Sequence, residues 1–160
     1  MKHGRIVLVV IFSASMIGST IAGAQTTTTT TTLPPCTDEA TFGSAQCRLD
    51  ELSAAITAEA GLASIADKLE NAVDIADRNV GNASDACNAA DLKETRSLLK
   101  KAIRRLIQYG HRLRSLKSRN NIPPEIRTPF IDEGHAIQQD LEALRGNLVC
   151  PPASPSGAFL

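Results

Sequence analysis

Four cysteines, Cys36, Cys47, Cys87 and Cys150, offer most of the chemistry in this chain. As free thiols they could ligate a metal or attack an electrophile; as two disulfides they would only staple the fold, and the compartment decides between these uses. The amino terminus points to the compartment. Lys2 and Arg5 lead into an apolar stretch, Ile6 to Phe12 with Met16, Ile17 and Ile21, and then into Ala22-Gly23-Ala24. That is the pattern of an export signal with its cleavage site. Residues 1–24 are therefore expected to be removed. The competing reading is an uncleaved signal anchor, because the stretch is nearly long enough for a bilayer core. Ser13, Ser15, Ser19 and Thr20 dilute it, and small residues stand where signal peptidase needs them. A periplasmic or extracellular location follows, and with it oxidised cysteines.

The other reactive side chains form no recognisable machinery. No C-x-x-C-H, Glu-x-x-His, G-x-S-x-G or phosphate-loop pattern occurs, and Met1 and Met16 both lie in the signal. His111 and His135 are the only histidines beyond it, and isolated surface histidines are more often structural than ligands. Asp132-Glu133 beside His135 comes nearest to an acid–base group, but such clusters are ordinary on helix surfaces. The expectation is no enzyme, no metal and no cofactor. Asn82-Ala83-Ser84 fits the N-glycosylation pattern, which matters only in a host with that machinery.

Charge is the stronger signal. The 17 basic and 17 acidic residues cancel overall, yet they are segregated. Eleven acidic and three basic residues lie from Asp38 to Asp91, against ten basic residues and only Glu94 from Lys93 to Arg119. At 100° per residue, Lys93, Arg96, Lys100, Arg104, Arg105, Arg112 and Arg114, with Arg119, fall opposite Leu99, Ala102, Leu106 and Leu113. One long helix over 92–119 should thus have an apolar inner face and a basic outer one.

These side chains are positioned by helices throughout, because apolar residues recur at helical spacing and hardly any run alternates as a strand would. Phe42, Leu49, Leu52 and Ile56 form one stripe, and Leu62, Ile65, Leu69, Ala72, Val73 and Ala76 a second, with a register shift near Gly61. One kinked helix or two would satisfy this pattern. Asp91 to Glu94 reads as a capping box opening a helix with Leu92, Leu113 and Leu116 on its inner stripe, ended by Asn120-Asn121 and Pro123-Pro124. Pro124 then opens the last helix, with Pro129 as a kink or restart after a Thr128 cap and Gly146-Asn147 as the stop. Gly134 falls on that helix's apolar stripe and should pack closely against a neighbour.

The resulting expectation is an all-α, up-and-down bundle of three to four helices over 36–150, stapled by two disulfides. It is preceded by a disordered Thr/Pro-rich linker over 25–35 and followed by a disordered tail over 151–160. Short links make consecutive helices antiparallel, so the helix ending near Cys87 and the last helix, ending before Cys150, finish at the same end. Cys87 should pair with Cys150, leaving Cys36 for Cys47.

The tract Thr26 to Thr32 followed by Leu33-Pro34-Pro35-Cys36, with Cys47-Arg48-Leu49-Asp50 and the runs Lys101 to Gln108 and His111 to Ser115, resembles a group of uncharacterised exported bacterial proteins. The resemblance brings no activity with it. A looser likeness is to plant pectin methylesterase and invertase inhibitors, also secreted four-helix bundles with two disulfides, but Cys87 and Cys150 lie too far apart for that pattern. The function expected is that of an interaction or structural protein, with a protein partner or an anionic polymer. The alternative is a polyanion-binding module, engaging acidic polysaccharide, anionic lipid or extracellular nucleic acid through the basic face.

Overall fold

Helix boundaries in the computed structural model follow local capping chemistry. The structure describes residues 36, 37 and 39–152; the expected signal, linker and most of the tail lie outside them. Thr41 stays extended and its hydroxyl accepts from the Ser44 amide at 3.2 Å, opening α1, Phe42–Ala58. Glu59 then turns the chain, its carboxylate accepting from the Gly61 amide at 2.9 Å over a 3-10 turn, Ala60–Leu62. A separate helix, α2, runs from Ala66 to Asn88, so the register shift near Gly61 marks two helices.

The α2–α3 junction takes three residues. Ala90 has φ 61°, the only positive φ of a non-glycine among the described residues, and its amide bonds back to Cys87 O while the Asp91 amide bonds to Ala86 O. This is a Schellman stop built on alanine, which tolerates the left-handed region less well than glycine. Asp91 then caps α3, Leu92–Arg114, by accepting from the Glu94 amide at 2.9 Å. Only half of the expected capping box forms, because the Asp91 N–H that Glu94 was to reach is already held by Ala86.

The predicted 92–119 helix stops at Arg114. Ser115 adopts extended backbone (φ −63°, ψ 155°), and its hydroxyl caps a new six-residue helix, α4, Leu116–Asn121. Leu116, expected on the inner stripe, is consequently 75% exposed, and Leu92 at the other end of that stripe is also exposed. Asn120 and Asn121 supply no left-handed cap. The stop comes from Pro123, which holds the buried Ile122 before it in extended backbone. The last helix, α5, Pro124–Gly146, runs without interruption through Pro129, so neither a restart nor a Thr128 cap occurs.

Contacts fix the directions. Gln46 lies beside Gly81 and Thr57 bonds Glu70, making α1 and α2 antiparallel. Arg112 donates to Lys68 O, which does the same for α2 and α3. Tyr109 donates to Phe130 O at 3.2 Å, and Arg127 donates to Leu113 O at 3.4 Å, setting α5 against α3. Arg48 reaches Glu133 and closes the ring from α1 to α5. The fold is an all-α, up-down-up-down four-helix bundle with α4 as a short insertion, and no strand occurs among the described residues. Both expected disulfides are present: Cys36–Cys47 with Cα atoms 5.7 Å apart, and Cys87–Cys150 at 5.0 Å.

The core is aliphatic, built from Leu49, Ile56, Leu69, Leu99, Leu106, Leu113, Ile137 and Leu141, with Tyr109 its single fully buried aromatic ring. Gly134 explains how that ring fits. A Cβ at this position would stand 2.6 Å from Tyr109 Cε1 and 2.9 Å from Cδ1. A buried ring hydrogen-bonded at its tip cannot swing away freely. Gly134→Ala should therefore destabilise by up to about 2 kcal/mol, the overpacking cost of about 1–3 kcal/mol being offset by a helix-propensity gain of about 1 kcal/mol. Urea denaturation tests this. A stabilised variant would mean that α5 can lift from α3 at little cost.

Candidate functional site

The basic face is carried by an amphipathic helix whose inner side is committed to α2 and α5. Lys93, Arg96, Lys100, Arg104 and Arg114 are exposed; Arg105 and Arg112 are half-buried. Arg105 bonds Gln108 at 3.0 Å, and Arg112 caps the Lys68 carbonyl, so these two carry local structural duties. Arg119, expected on the same helix, belongs to α4. Lys93, Arg96, Lys100 and Arg104 recur every three or four residues and so lie along one stripe. At 1.5 Å per residue the run from Lys93 to Arg114 extends about 30 Å.

The ion pairing is unequal. Within 4.0 Å the only salt bridges among the described residues are those of Arg48, with Glu133 at 2.8 Å and with Asp140. None of the basic side chains of α3 is paired with the acidic residues of α1 and α2. Sequence segregation of charge therefore does not turn into close pairing between helices, and the stripe presents its cations to solvent.

Arg48 is the feature that sequence reasoning missed. It is only 7% exposed, because it stands on the apolar stripe of α1 between Ala45, Leu49 and Leu52. Its guanidinium donates through Nε and Nη2 to Glu133 Oε1 at 2.9 and 2.8 Å, and through Nη1 to Asp140. A signal was available: an arginine inside an α1 stripe, and two carboxylates seven residues apart on the facing side of α5. Glu133 is thereby drawn away from the suspected acid–base cluster, while Asp132 and His135 remain exposed. Next to this pair lies a cavity of about 330 Å³, lined by Arg48, Glu51, Leu52, Ala55, Pro129 and Phe130 along with Glu133.

Among the described residues, two groups have shifted protonation. Burial pushes the Tyr109 phenol well above its usual range, with a further contribution from Glu133. The phenol therefore stays neutral and serves as a hydrogen-bond donor. Burial, then the neighbouring Asp50, raise the Asp77 carboxyl between α1 and α2; Gln46 opposes this by hydrogen bonding, and Asp74 adds to it. The single group of side chains with metal-ligand spacing among the described residues is Cys36, Cys47 and Glu51. Its two sulfurs are bonded to each other, so they are not available as thiolate ligands. No described helix is long and apolar enough to cross a membrane.

These features define a class by architecture, a disulfide-stapled four-helix bundle with one cationic face. No family model, curated protein or solved structure matches the chain, so a functional reading has to rest on the bundle's own surfaces.

Proposed function

We propose that this is an exported, non-enzymatic binding protein, and that the basic face of α3 is its polyanion-binding surface. The observation carrying this reading is the absence of ion pairs on Lys93, Arg96, Lys100 and Arg104 among the described residues, although the flanking sequence is acidic. Cations held along one side of a rigid helix favour an extended anionic chain or surface, since each neutralised anionic group releases a counterion. The two disulfides support export to an oxidising compartment.

The test is retention of the full chain on heparin, an acidic polysaccharide, against salt. With four contacts, binding should weaken about a hundredfold between 50 and 200 mM salt. Replacing Lys93, Arg96, Lys100 and Arg104 together by Gln should remove it while leaving the melting temperature within a few degrees, because exposed charges contribute little to stability. No retention of the wild-type chain at low salt would sink the reading. Retention that the quadruple variant shares would place the site elsewhere.

A further inference from the structure

The end of the bundle where α3 gives way to α4 differs chemically from the rest of the basic face. Ser118 and Ile122 turn inward and are buried, which leaves Leu116 on the outward side of α4 at 75% exposure. Lys117 and Arg119 stand beside it on the same short helix, with Arg114 on the last turn of α3. Lys117 also borders a cavity of about 280 Å³ whose lining includes Ile65, Lys68, His111, Arg112 and Ser115, with no acidic side chain. Asp67 and Glu125, on the first turns of α2 and α5, and Glu59 and Glu70, at and beside the end of α1, are the acidic residues at this end. The cations Lys68, Arg112, Arg114, Lys117, Arg119 and Arg127 outnumber them.

We propose that this end docks on an anionic lipid surface, with Leu116 entering the acyl boundary and the surrounding cations meeting headgroups. The inference rests on the polyanion reading but uses a different part of the cationic surface, the carboxy-terminal end of α3 with α4, and commits there to one class. An exposed leucine among cations gains nothing from a polysaccharide. Single-stranded nucleic acid calls for aromatic platforms, yet Tyr109 is fully buried and the described phenylalanines, Phe42 and Phe130, lie on α1 and α5. An anionic bilayer offers both components together, charge at the headgroups and apolar volume just below.

The chain contains no tryptophan, so Leu116→Trp in the full-length protein gives a reporter that reads position 116 alone, however residues 1–24 partition. With vesicles of phosphatidylcholine containing 30% phosphatidylglycerol, its emission should shift to the blue and be quenched by brominated acyl chains at low salt. High salt should reverse both changes. Pure phosphatidylcholine vesicles should produce neither. Adding Lys117→Gln and Arg119→Gln should raise the half-saturating lipid concentration about thirtyfold, at about 1 kcal/mol per cation near the surface. Heparin retention without a blue shift on anionic vesicles would overturn the lipid proposal and leave the polyanion reading standing. Loss of both responses would overturn both. An equal shift on neutral and anionic vesicles would show that the headgroup charge plays no part, and would also overturn it.

Discussion

Exchanging Cys87 and Cys150 for alanine is expected to lower the unfolding free energy by about 4 kcal/mol, the largest single effect in the molecule. The bond closes a sequence separation of 63, and on the chain-entropy estimate a loop of that length constrains the unfolded ensemble by about 4 kcal/mol. It ties the ends of α2 and α5, which sit diagonally across the bundle and run in the same direction. Removing Cys36–Cys47, with its separation of 11, should cost less, about 3 kcal/mol. Urea denaturation of both double variants gives the comparison directly. If the short-loop variant proved the less stable of the two, the entropy argument would fail, and local anchoring of α1 would be the dominant role of these bonds.

The second large effect is expected at Arg48. Arg48→Met keeps much of the side-chain volume but leaves Glu133 and Asp140 facing each other and an apolar group. Breaking a fully buried pair costs about 3–5 kcal/mol. Here the carboxylates retain 42% and 27% of their side-chain exposure and can rehydrate in part, so we expect about 2–3 kcal/mol. A cycle with Glu133→Gln separates the pair's coupling from the packing change. Additive losses, with the double variant falling by the sum of the two single ones, would show that the guanidinium acts through its hydrocarbon stem alone.

What could be read in the sequence was set by short-range constraints. The short link between Cys87 and the Asp91 cap and the Pro123-Pro124 stop forced consecutive helices to reverse, and the disulfide pairing followed from that topology. Gly134 was legible because a glycine on an apolar stripe has few reasons other than close approach. Ser115 was not. Its neighbours Leu113 and Leu116 continue the helical period, and a serine, although favoured at caps, costs little inside a helix; burial of Ser118 and Ile122 selects the break. Arg48 was missed because a charged residue was assumed to face water, although its position on the α1 stripe and the carboxylates on α5 were both in view. The unpaired state of the basic face could not be read from composition, which records which charges are present but not whether their side chains meet.

The ring of helices also has a kinetic consequence. α1 with α2, α2 with α3 and α3 with α5 pack as near neighbours along the chain, so these contacts close short loops and form early. Among the packed helix pairs the seam between α1 and α5 joins the most distant segments, Arg48 to Glu133 and Asp140, and its loop entropy must be overcome without help from a short link. The hypothesis that follows is that a three-helix hairpin stack assembles first and α1 locks onto α5 last, with Arg48 as the latch. In a chevron, the destabilisation of Arg48→Met would then appear almost entirely as faster unfolding; slower folding instead would place the seam in the nucleus. A latch formed late is also the part that opens first in the native state, so the cavity beside Arg48 sits at the joint where this bundle most readily comes apart.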